Sequence, residues 1–80
     1  MTPREATLAL LAARAEGATV CPSEAARAVA GPDGDWREAM PQVHAAVDAM
    51  LADGLIRLSW KGRPLTARTG PYRIRRAGGG

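Results

Sequence analysis

The stretch "LIRLSWKGRP", Leu55 to Pro64, decides how this chain folds. Before it, apolar residues recur at helical spacing. Within it the period drops to two, with Ile56, Leu58 and Trp60 alternating with Arg57, Ser59 and Lys61. That pattern describes a strand with one buried face. Lys61-Gly62-Arg63-Pro64 reads as the turn that breaks it. A second alternation follows, Tyr72 and Ile74 against Arg73 and Arg75. Pairing the two segments places Ile56, Leu58, Trp60, Tyr72 and Ile74 on a core face. The outer face then gathers Arg57, Lys61, Arg73 and Arg75. Pro71 suits an edge position or the start of its strand, because it has no N–H to give to a ladder.

Upstream of Gly54 the chain reads as three helices. Thr2-Pro3-Arg4-Glu5 is a capping box with proline at the first helical position. Leu8, Leu11, Ala12 and Ala15 follow as one apolar stripe, and Gly17 is the expected stop. Ala18 to Val20 is a short extended connector. Pro22 and Glu24 open a second helix, with Ala26, Val29 and Ala30 on its inner face and Gly31-Pro32 as its end. Asp35-Trp36-Arg37-Glu38 is another capping signature. Pro41 would remove a hydrogen bond and crowd the Arg37 carbonyl, which predicts a single turn over Trp36 to Met40 followed by a longer helix. That helix turns Val43, Ala46, Val47, Met50 and Leu51 inward and closes at Asp53-Gly54. The order helix, short strand, helix, helix, hairpin predicts an α+β, mainly α fold: a winged helix-turn-helix with three helices and a C-terminal basic β-hairpin wing. The domain is expected over residues 1–76, with a disordered glycine-rich tail over 77–80. The connection between the second and third helices exceeds the usual three or four residues of a helix-turn-helix.

Composition narrows the function classes. Eighty residues make at most one domain with a thin core. One cysteine and one histidine can form neither a disulfide framework nor a zinc tetrad, so no metal and no cofactor are expected. Arg14 and Glu16 interrupt the best apolar run, and Glu5 and Arg14 interrupt any secretion signal. The expectation is a cytoplasmic protein with no membrane partner. The net charge of +3 conceals a division. Up to Ile56 four arginines face all eight acidic residues. From Arg57 onward come Arg57, Lys61, Arg63, Arg68, Arg73, Arg75 and Arg76 without one acid. Such an asymmetry points to an anionic partner for one end, or to a solvated basic tail.

Four segments carry a resemblance: "CPSEAARAV" at Cys21 to Val29, "WREAM" at Trp36 to Met40, "LADGLIRLSWKG" at Leu51 to Gly62, and "GPYRIR" at Gly70 to Arg75. With them the chain to about Arg76 resembles the bacterial family called domain of unknown function 3253, whose members are predicted to be winged-helix-like. The resemblance implies the fold and no catalytic or binding residue.

Cys21, before Pro22, stands where a thiol is activated by a helix N-terminus, but no base or resolving partner is placed beside it. It reads as an apolar filler. No paired carboxylates, phosphate-binding glycine loop or Ser-His-Asp set can be assembled, so the chain is read as no enzyme. Trp36 is expected to plug the core over the first two helices, with Arg37 pairing Glu24 or Glu38 or meeting phosphate. On the third helix Gln42 and His44 are the groups able to address base edges, while Asp48 would repel phosphate. No arginine, lysine or asparagine lies from Pro41 to Asp53, which is poor chemistry for a major-groove reader. The wing is better equipped. Arg57, Lys61, Arg73 and Arg75 on its face, with Arg63 and Arg68 in its loops, form a surface able to track phosphates. The leading expectation is weak, salt-sensitive binding of double-stranded DNA. The alternative is a protein-interaction or homodimerisation module that packs a partner on Ala45, Ala49 and Ala52 of the third helix.

Overall fold

The computed structural model describes residues 1–78. It contains α1 (Pro3–Ala12), α2 (Pro22–Ala30), α3 (Trp36–Ala52), β1 (Ile56–Trp60), β2 (Arg63–Leu65) and β3 (Arg73–Arg76). The three strands form one antiparallel sheet in the order β2-β1-β3. Val20 adds a single bridge outside β3, exchanging hydrogen bonds with Ile74 at 2.7 and 2.8 Å. Three helices followed by this C-terminal sheet make the winged-helix layout anticipated from the change of period at Gly54.

Local chemistry accounts for the helix starts. The Thr2 hydroxyl accepts from the Glu5 amide at 3.1 Å, and Glu5 Oε1 accepts from the Thr2 amide at 2.9 Å. Two orphan donors at the start of α1 are thereby satisfied. The Glu5 carboxyl is held below its ordinary range by those Thr2 hydrogen bonds. Glu24 accepts from the Cys21 amide at 2.8 Å at the head of α2. Asp35 accepts from the Arg37 amide at 3.0 Å at the head of α3. Gly31, with φ of 80°, ends α2 in a backbone conformation open to glycine.

The core joins all layers. Leu11 of α1, Ala25 and Ala26 of α2, and Ala39, Val43, Val47 and Met50 of α3 pack with Val20, Ile56, Leu58, Tyr72 and Ile74. Each large aliphatic side chain so buried contributes about 1.5–3 kcal/mol relative to exposure.

Several local expectations are corrected. First, α1 ends at Ala12 rather than running toward Gly17, and Ala12 and Ala15 are exposed. Its buried residues are Ala6, Thr7 and Leu11, the Thr7 hydroxyl donating to the Pro3 carbonyl at 2.8 Å. A polar residue could not be read as core from periodicity, since only this back-bond makes its burial tolerable. Second, α3 runs unbroken through Pro41. Ala39 and Val43, on either side of the proline, are anchored in one core cluster, while Arg37 and Pro41 are exposed. The carbonyl that loses its partner therefore lies on the solvent side.

Third, the expected turn Lys61-Gly62-Arg63-Pro64 is shorter, and the wing gains a strand, β2, in a three-stranded sheet. Arg63 and Pro64 belong to β2, so the turn shrinks to Lys61-Gly62 between paired Trp60 and Arg63. Both turn residues have positive φ, 51° and 79°, the requirement of a two-residue hairpin loop whose twist matches its strands. Pro64 is tolerated because β2 is an edge strand. Fourth, Trp60 is 38% exposed although its alternation places it with Ile56 and Leu58. Trp60 lies beyond the last β1–β3 pair, Ser59 with Arg73, and is absent from the buried core cluster.

At the other end of the sheet Ala77 donates to the Leu55 carbonyl at 3.2 Å. The remainder of the expected disordered tail, 79–80, lies outside the described residues.

Candidate functional site

Alternation along β1 and β3 sorts the wing's charges by geometry. Ile56, Leu58 and Ile74 point into the core, so Arg57, Ser59, Arg73 and Arg75 stand on the opposite face. The register places Arg57 directly opposite Arg75 and Ser59 opposite Arg73. Both Arg57 and Arg75 are exposed. Two cations directly opposed across a strand pair repel one another.

Arg73 is restrained: its Nε donates to the Thr19 hydroxyl at 2.6 Å and its Nη2 to the Thr19 carbonyl at 3.4 Å. Thr19 reaches this face because the Val20 bridge lays its segment along the edge of β3. Thr19, Arg57, Ser59, Lys61, Arg73 and Arg75 line an open groove of about 580 Å³. Arg76 turns to the other side and donates to the Leu11 carbonyl at 2.9 Å, tying β3 to the end of α1.

Not every expected site residue joins this surface. Arg68 leaves it, forming a two-point pair with Asp48 of α3, 2.9 Å for each contact. That pair depresses the Asp48 carboxyl and raises the Arg68 guanidinium. It also ties the loop after β2 back to α3.

His44 is half-buried, and its Nδ1 shares a 2.7 Å hydrogen bond with the Tyr72 hydroxyl. Of the ring nitrogens expected to be able to address base edges, Nδ1 is therefore engaged by Tyr72, the residue just before β3. Burial holds its pKa below the ordinary value, reinforced by the Arg68 charge and opposed by Asp48. The same burial pushes Tyr72 up to about 12. Gln42 remains exposed. Arg63, paired with Trp60, is exposed on the hairpin but does not line the groove.

The remaining exposed positions of α3 include Glu38, Ala45, Ala49 and Ala52, and after Arg37 in the first turn the helix carries no cation. Periodicity could not reveal that Arg68 would neutralise Asp48, since the two lie twenty positions apart in the chain.

Two further side-chain clusters lie at the heads of α2 and α3. Cys21 is half-buried beside Ser23, its Sγ 3.1 Å from the hydroxyl. Glu24, at the head of the same helix, forms an ion pair with Arg14 whose second contact is 3.2 Å. The Arg14 guanidinium is the main reason the Glu24 carboxyl lies below its usual range. Glu24 is thus unavailable to Arg37, which instead stacks over Trp36 at 4.4 Å, as Arg27 does at 4.9 Å. Trp36 is half-buried at the margin of the core rather than sealed inside it. Among the described residues there is no group of three or more side chains that could hold a metal ion. No helix of the described residues is long and apolar enough to cross a membrane.

A family model described as "Protein of unknown function (DUF3253)" matches residues 2–77, nearly the whole chain. The chain belongs to the DUF3253 family. Membership extends over both the helical layer and the wing, so the groove is part of the family domain and not an appended segment. No curated protein matches the chain.

Proposed function

We propose that this DUF3253 protein binds nucleic acid, with the wing supplying affinity through phosphate contacts and sequence readout remaining weak. The observation that carries the reading is the state of the wing's cations. Among the described residues the ion pairs are Arg4–Asp53, Arg14–Glu24 and Arg68–Asp48. Arg57, Lys61, Arg63 and Arg75 are therefore exposed without an acidic partner. A surface that merely keeps a protein soluble mixes both signs, whereas unpaired cations of one sign attract a polyanion. The groups available for base edges are few, since His44 is engaged by Tyr72 and Asp48 by Arg68.

Fluorescence anisotropy with a random-sequence DNA duplex across a salt series tests this. Four contacts predict a log–log slope of about −3.6, from about −0.9 per phosphate neutralised. Changing the duplex sequence is expected to alter affinity only slightly. Absence of binding at low salt overturns the reading. A dimeric mass in light scattering together with that absence would favour the alternative, a self-association module using the small exposed side chains Ala45, Ala49 and Ala52.

A further inference from the structure

The winged-helix layout suggests that α3 would lie in a major groove with the wing beside it. The disposition of charge in this chain argues for a different approach. The sheet turns its apolar side toward α3, where Ile56, Leu58 and Ile74 meet Val43, Val47 and Met50 in one cluster. The face bearing Arg57, Arg73 and Arg75 consequently looks away from α3. The exposed side of α3 offers Glu38, Gln42, Ala45, Ala49 and Ala52, and its one exposed cation, Arg37 in the first turn, is stacked over Trp36. On the sheet, by contrast, Arg57 and Arg75 are held opposite each other at the open groove, with Lys61 at its tip end and the Thr19–Arg73 pair beside it.

We infer that the protein docks on the phosphodiester backbone with the outer face of its sheet, Arg57 and Arg75 gripping one phosphate between them, and that α3 is turned away from the nucleic acid. The physical reason is the like-charge pair. Two guanidiniums facing one another are unfavourable in the free protein, and a phosphate between them converts that repulsion into two charge-assisted contacts. Arg73, already fixed by Thr19, borders the same groove and adds field without being free to move onto α3's side. The inference rests on the nucleic-acid reading, but specifies a docking face that this reading leaves open.

Two variants of equal charge change separate the faces. Arg57→Gln with Arg75→Gln removes two positive charges from the sheet. Ala45→Glu with Ala49→Glu adds two negative charges to α3. Each lowers the net charge by two, so loss of long-range attraction is the same to first order. All four positions are exposed, and a melting curve of each variant serves as the check that it is folded. The expected result at low salt is a loss of duplex affinity of about tenfold or more for the sheet variant, with a distinctly smaller loss for the α3 variant. The sheet variant is also expected to melt no lower than the parent, because it relieves a repulsion. Equal losses, or a greater loss from the α3 variant, overturn the docking face while leaving nucleic-acid binding intact. A parent protein that fails to bind at low salt overturns both. Amide shifts on adding the duplex give an independent map: changes at Thr19, Arg57, Ser59 and Arg75 support the inference, and changes confined to Gln42, Ala45 and Ala49 overturn it.

Discussion

The two faces of the sheet are built from the same strands, one residue apart, and are used in opposite ways. Inward, Ile56, Leu58 and Ile74 are almost completely removed from solvent. Outward, Arg57 and Arg75 are solvated, opposed and free of acidic partners. The inner face lowers the energy of the fold. The outer face holds an unfavourable charge pair that the fold has no need of. Stability and binding should therefore respond to different residues of a single strand, and that separation can be broken experimentally.

The largest effect is expected at the inner face. Ile74→Ala removes a buried side chain at the junction of β3, β1 and Val20 and should lower stability by about 2–5 kcal/mol in urea melts. At temperatures where the variant is still folded, its salt slope for duplex binding should match the parent. A changed slope would mean that the two faces are not independent.

Tyr72 gives a second, smaller test. Burial raises its hydroxyl from 10.0 to about 12, against the pull of the Arg68 charge. The folded state thus retains a proton that the unfolded state releases above pH 10, so stability is fully present below pH 10 and falls as pH rises toward 12. Unfolding free energies from urea melts between pH 9 and 12 should decline on the order of 1–2 kcal/mol in this window. Tyr72→Phe should flatten the decline, although it also leaves His44 Nδ1 without this partner. A parent curve that is already flat would show that the hydroxyl is not buried as the inner face requires.

The smallest expected change lies at the hairpin tip, where the two faces meet. Lys61 adopts φ of 51°, a conformation that Asn and Gly accept more readily. Lys61→Asn is expected to raise stability by about 0.5 kcal/mol and to make the salt slope shallower by about 0.9. Opposite signs for the two quantities sharpen the contrast between fold and binding. If both fall together, the lysine serves the fold.

Much of this architecture was legible along the chain because it is local. A capping box needs Thr2 and Glu5 three residues apart, and the turn from helical to strand spacing is complete within Ile56 to Trp60. The groove was legible in part, since alternation alone assigns Arg57, Arg73 and Arg75 to one face. Three features were not. Trp60 obeys the inward alternation yet is exposed, because alternation specifies a face and not how far the core extends beneath it. Pro41 reads as a helix breaker, yet packing on both sides outweighs one missing hydrogen bond. Arg68 reads as a free cation, yet the loop returns it to Asp48.

The order of elements, the position of the switch from helix to strand and the sign of charge on the wing are encoded locally. These follow from spacing, capping chemistry and composition, each settled within a few residues of chain. The tertiary structure alone decided which cations stay unpaired, that His44 binds Tyr72, and that the basic face looks away from α3. Those outcomes depend on groups far apart in sequence meeting across the core, where burial and hydrogen bonding select partners that no local period encodes.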